Sequence, residues 1–178
     1  MTGPTALAKL ARLMSPDLPQ FIEPSHLADV RAHLKGEMDT ALMERFRESI
    51  LDAAGPAGVS MTFSRNAQGV IRITGDYKVT VTLRCQRCLE AMEITLANPI
   101  NLGLVATGME TDSQSEDYEP LVIEEKEIAL MPLVEDELLL GLPMSPMHAM
   151  EECPAAKVIQ DMAPEKASPF AVLKNLKS

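Results

Sequence analysis

Tyr77-Lys78-Val79-Thr80-Val81-Thr82-Leu83-Arg84-Cys85-Gln86-Arg87-Cys88 decides how this chain is read. Tyr77, Val79, Val81, Leu83 and Cys85 fall on one side of an extended chain, while Lys78, Thr80, Thr82 and Arg84 fall on the other. One face packs and the other meets solvent or a ligand. The strand ends in Cys-x-x-Cys, two thiols at a strand-to-turn corner that can close on one soft cation or on each other. A structural zinc site takes four N/S donors. His148 and Cys153, the remaining cysteine, lie close together far downstream and supply the other half. Cys85, Cys88, His148 and Cys153 are therefore the candidate metal set, closed and structural, for one zinc. With four protein ligands it has no open position for activated water. The plain alternative is no cofactor, with Cys85 a small core residue on the inward face.

Working outward, Val59, Met61 and Phe63 alternate with polar residues, and Asn66-Ala67-Gln68-Gly69 gives a turn before Val70-Ile71-Arg72-Ile73, which makes a hairpin. Gly75-Asp76 is read as a break. Beyond the cysteines Met92, Ile94 and Leu96 alternate, and Asn98-Pro99 is read as a boundary before Ile100 to Val105. The expectation is an antiparallel meander of about four or five strands. Leu18 to Pro24 reads as an extended edge segment. Residues 39–53, capped by Asp39 or Thr40 and carrying Leu42, Met43, Phe46, Ile50 and Leu51, read as a helix. A second helix is expected over 128–142, with Pro132 in its first turn. There Met131, Val134, Leu138 and Leu142 form one stripe, Leu133 and Leu140 lie opposite, and Glu135, Asp136 and Glu137 are left to water. The fold class is α+β: an antiparallel β-meander or open barrel packed by two helices, with flexible termini. Residues 1–16 form an N-terminal extension, 17–143 the main domain, and 144–178 a Pro/Met-rich tail ending in a short docking helix.

The 178 residues carry a formal net charge of −10. That disfavours sequence-blind attraction to phosphate backbones and favours basic protein partners. Three cysteines are too few, and odd in number, for a disulfide-stapled secreted fold, so a cytoplasmic setting is expected. No secretory leader or membrane-spanning run is legible, so no membrane partner is expected.

Three contact surfaces stand out. Lys78, Arg84 and Arg87 sit around the cysteine corner and can touch RNA phosphates, although on the residues alone an ordinary solvated strand face explains them better. Glu110 to Glu127, with Lys126 as its only base, can attract a basic protein. Phe170, Leu173 and Leu176 line one side of a segment too short to hold a helix alone, which must dock on its own domain or on a partner. No phosphate-cradling loop, nucleophile elbow or histidine pair is present, and consecutive carboxylates on a helix point apart. No enzyme and no small-molecule substrate are expected.

Four blocks carry a resemblance: Val79 to Cys88; Tyr118-Glu119-Pro120-Leu121; Leu133-Val134-Glu135-Asp136-Glu137-Leu138-Leu139-Leu140-Gly141-Leu142-Pro143; and Pro169-Phe170-Ala171-Val172-Leu173. In this order and spacing they resemble the YceD family, the large ribosomal RNA subunit accumulation proteins, across Leu18 to Lys177. The resemblance implies a bacterial, cytoplasmic, non-enzymatic factor in ribosome biogenesis that supports accumulation or processing of large-subunit ribosomal RNA. Its implied partners are that RNA or a pre-ribosomal particle, and the alternative is an acidic adaptor or chaperone for a basic ribosomal protein. Some branches of the family carry a denser cysteine cluster after the leucine-rich helix, where this chain has only His148 and Cys153.

Overall fold

The computed structural model describes residues 18–106 and 118–156. In chain order the elements are β1 (Phe21–Ile22), α1 (Pro24–Asp29), β2 (His33–Met38), a 3-10 turn (Thr40–Leu42), α2 (Glu44–Ser49), β3 (Asp52–Ala53), β4 (Ala57–Arg65), β5 (Ile71–Arg84), β6 (Ala91–Ala106), β7 (Glu119–Ile123), β8 (Ile128–Ala129) and α3 (Leu130–Leu140). The main sheet runs β2-β4-β5-β6-β7, with β3 paired to β5 beyond the end of β4. All its pairings are antiparallel except β6 with β7, which is parallel. The fold is α+β around an open sheet rather than a closed barrel. β1 and β8 form a separate two-stranded ladder.

Both expected breaks in the central strands are absent, for different reasons. Gly75 does not interrupt β5; a Cβ there would lie 1.9 Å from the Ser60 carbonyl oxygen, so glycine lets β4 and β5 approach. Pro99 lies within β6, opposite Asp76, at a point where β7 has not yet joined; that pairing starts at Leu102. A strand with one partner tolerates a missing donor. The hairpin turn is as read, with the Asn66 side chain accepting from the Gln68 and Val70 N–H groups and Gly69 at φ +83°.

One face of the sheet holds the core. Val59, Met61 and Phe63 of β4, Ile73, Tyr77, Val79, Val81 and Leu83 of β5, and Leu96, Ile100, Leu102 and Leu104 of β6 are buried together. Registers such as Val79 opposite Leu96 and Ile73 opposite Leu102 put these residues on one side. Leu130, Leu133, Val134 and Leu138 of α3 cover that side. At the end of α3 the chain passes so close to the Tyr77 hydroxyl that a Cβ at Gly141 would meet it at 1.8 Å. Asn98 donates to that hydroxyl at 2.8 Å. On the opposite face Tyr118 lies over Gly103, with the Arg72 guanidinium 4.4 Å from its ring centre.

The helix expected over 39–53 is shorter than its apolar spacing suggests. Met43 and Phe46 are buried, but Ile50 onward is extended and Leu42 and Leu51 are exposed. The cause is a competing partner: β4 stops pairing with β5 at Lys78, and Leu51 N–H to Thr82 O and Ala54 N–H to Thr80 O claim the edge beyond. In α3, Leu133 is buried and Leu140 exposed. Glu135, expected in water, is only 7% exposed. Its carboxylate accepts from the Phe46 N–H at 3.1 Å, supplying the cap that Met43 cannot give α2. It also accepts Arg45 Nε and Nη2 at 3.1 and 2.7 Å, and Asp136 takes Nη1 at 2.6 Å. Burial pushes the Glu135 carboxyl up, but the Phe46 N–H and Arg45 outweigh it and hold its pKa below the usual range.

Candidate metal centre

The β5–β6 connection is a tight knuckle. Cys85 N–H bonds to Glu90 O and Leu89 N–H to Cys85 O, both at 2.9 Å, with Leu89 in the left-handed region at φ +65°. This folds Cys85 and Cys88 onto one side of the turn. The downstream half is held against it by backbone: Gln86 N–H donates to Pro146 O at 2.8 Å and His148 N–H to Cys85 Sγ at 3.4 Å. Cys153 closes a turn on Ala149 O at 3.0 Å, and the short helical turn after it buries Ala156 in one small cluster with Cys85 and Cys153. Leu142, Pro143, Met144 and Pro146 carry the chain from α3 past a groove of about 330 Å³ whose other wall is Ile50, Leu51 and Leu83.

The donor atoms of Cys85, Cys88, His148 and Cys153 all lie within 4.8 Å of one another. Cys88 Sγ and His148 Nδ1 are 3.3 Å apart. In a zinc tetrahedron with Zn–S near 2.3 Å and Zn–N near 2.0 Å, donors stand about 3.4–3.8 Å apart, so the set needs only a small contraction. Cys85 and Cys153 are buried, while Cys88 and His148 are half-buried. Burial raises the Cys85 thiol, yet N–H groups of Cys88, His148 and Arg87 and the Cys88 thiol point at its sulfur and bring its pKa down to about 5. Cys88 is pushed up by burial, and by Cys85 and Cys153 beside it. The lowered Cys85 pKa favours its thiolate, and soft sulfur with imidazole is the donor chemistry zinc selects.

The fold brings together all four donors named from the sequence, across about sixty residues of chain. It sets the three basic candidates in different surroundings. Lys78 and Arg84 are exposed on the outer face of β5, six positions apart and interspersed with Asp76 on β5 and Glu93, which pairs opposite Thr82. Arg87 is half-buried in the knuckle, its guanidinium against Met150 Sδ at 3.0 Å and Met147 Sδ at 3.7 Å. The N-terminal extension, residues 110–117 of the acidic stretch Glu110 to Glu127, and Phe170, Leu173 and Leu176 lie outside the described residues. No helix among the described residues is long and apolar enough to cross a membrane.

A family profile described as "Large ribosomal RNA subunit accumulation protein YceD" matches residues 73–177, from the central strand through the second half-site to the end of the chain. The chain belongs to the YceD family. A YceD relative named "Large ribosomal RNA subunit accumulation protein YceD", from Haemophilus influenzae, is 35% identical over 167 residues, covering 90% of this chain and 96% of that protein. No solved structure matches the chain. Two contacts in this YceD-family chain escaped sequence reasoning, one at the site and one between the helices. The Gln86–Pro146 backbone bond has no side-chain signature. The Arg45–Glu135–Asp136 contact had one, since the Leu-Val-Glu-Asp-Glu-Leu block offers two adjacent carboxylates to a helix rich in arginine.

Proposed function

We propose that this protein supports the accumulation or processing of large-subunit ribosomal RNA as a non-enzymatic factor that acts by binding, in the cytoplasm. The closed Cys85–Cys88–His148–Cys153 set carries the reading: four protein donors converge on one another with no fifth position for a substrate, an arrangement suited to holding a shape. Two of the three dense carboxylates are likewise spent on structure, Glu135 and Asp136 on Arg45 and Glu135 on the Phe46 N–H. On this reading one structural zinc staples residues 144–156 to the end of β5, and the stapled corner, with Arg84 exposed beside it, is the surface offered to a pre-ribosomal particle. Elemental analysis of the purified chain, paired with gradient co-migration, tests it: one zinc per chain and sedimentation with large-subunit precursors are expected. A zinc-free chain that stays at the top of the gradient contradicts the reading.

A second reading is favoured by one observation, the net charge of −10. Lys78 and Arg84 share their face with acids, so capture of a basic ribosomal protein fits the overall field better than a wide phosphate contact. The Phe170, Leu173 and Leu176 segment then supplies the apolar part of that contact. Deleting residues 168–178 should abolish capture of basic ribosomal proteins from lysate on this reading, and should spare binding to ribosomal RNA on the first.

A further inference from the structure

The four donors differ in how solvent reaches them. Cys85 is 0% and Cys153 4% exposed, whereas Cys88 is half-buried and its thiol faces both of the others. All three sulfurs lie within 4.8 Å of one another, so an accessible thiol is flanked by two shielded ones at close to disulfide-forming range. This is the arrangement in which an oxidised thiol is resolved by a neighbour before it can be oxidised further. The structure contains no disulfide here; all three cysteines are free.

We infer that Cys88 is an oxidation site at which a hydroperoxide opens the metal staple. The step balances as follows. Held as a thiolate when the metal is bound, Cys88 attacks the peroxide, the O–O bond breaks, and Cys88 becomes a sulfenic acid while the departing hydroxide takes a proton and leaves as water. The thiolate of Cys85 or Cys153 then attacks the Cys88 sulfur, a disulfide forms, and a second hydroxide leaves as water after taking a second proton. Two electrons pass from the sulfur pair to the peroxide. The metal keeps one thiolate and His148 out of four donors, and is released. When Cys85 resolves, residues 144–156 lose the metal and the Cys85 sulfur that accepts the His148 N–H, and the Gln86–Pro146 backbone bond holds them without it. Ligand loss at the half-buried position is then converted into exposure of the corner where residues 144–156 meet the knuckle; when Cys153 resolves, the disulfide itself keeps them there. The inference rests on the metal reading above and names a chemical control over that site.

Zinc-loaded full-length protein treated with hydrogen peroxide tests it, with zinc followed by a colorimetric chelator and thiols by non-reducing peptide mass mapping. One zinc is released per disulfide formed, the disulfide contains Cys88, and a thiol reductant with zinc restores the starting state. Cys88→His keeps four N/S donors but removes the accessible thiol, so peroxide should free its zinc roughly tenfold more slowly or worse. Zinc that stays bound while only methionines gain oxygen overturns the inference, as does a sulfinic acid at Cys88 with no disulfide, or equally fast release from Cys88→His. Should Cys88→His fail to hold zinc, the wild-type disulfide map alone decides. The two readings fail separately: a zinc-free protein that still forms the Cys88 disulfide removes the metal and keeps the oxidation site, and an inert zinc-loaded protein does the reverse.

Discussion

The sheet-and-helix body and the cysteine corner are held by different physics. The body buries more than twenty apolar side chains in one continuous cluster, including Phe46, Phe63, Tyr77 and Leu138. The corner buries Cys85, Cys153 and Ala156, a satellite too small to order thirteen residues of tail by area alone. What it has instead is convergence: two backbone bonds and four donor atoms meet there. Apolar area sets how firmly the body stands, and donor chemistry decides whether the corner exists.

That contrast can be broken from either side. The largest effect belongs to the body. Phe46→Ala removes a fully buried ring between α2 and α3 and should cost about 3–5 kcal/mol, read as a lowered denaturation midpoint with unchanged slope. Its zinc stoichiometry, measured while folded, should not change. Next, chelating the metal or replacing Cys153 by Ser should strip amide-exchange protection from residues 144–156 while β4, β5 and β6 keep theirs. A uniform loss across the sheet would show that corner and body are one cooperative unit after all.

Smaller effects sharpen the boundary. Tyr77→Phe leaves the Asn98 amide without its partner beneath Gly141 and should cost about 1–3 kcal/mol by the same denaturation measurement. Glu135→Gln probes the link between α2 and α3 through pH. The folded-state pKa of Glu135 is depressed, so its contribution is fully present above the unfolded value near 4.5 and fades as pH falls through the lower folded value. Wild type and variant should therefore differ most at neutral pH and converge in acid; a difference that grows on acidification would contradict this sign. Last, Arg84→Glu leaves stability unchanged within about 0.5 kcal/mol, as an exposed position should. If the corner touches RNA, the same substitution weakens binding to ribosomal RNA fragments and flattens its salt dependence.

Much of the body was legible because period two survives in the residues themselves. The odd positions from Tyr77 to Cys85 are buried as their alternation requires. What misled was punctuation. Gly75 and Pro99 read as stops when seen alone, but one serves a close approach between strands and the other sits where a strand has a single neighbour. The helix over 39–53 failed similarly, since its spacing could not disclose that β5 has a free edge waiting for Leu51 and Ala54. The parallel pairing of β7 with β6 was not legible, because the connection between them runs through residues without periodicity. At the corner the four donors were legible by residue type, whereas their approach depends on Gln86–Pro146 and on Leu89 in a left-handed turn, features of backbone that no side-chain pattern reports.

The knuckle between β5 and β6 also sets a timetable. During synthesis Cys85 and Cys88 emerge sixty residues before His148, so at about 5–20 residues per second the first pair waits some 3–12 seconds for the second. The hairpin that presents the early pair can form in that interval, and the last stretch of chain arrives to find its landing place already built.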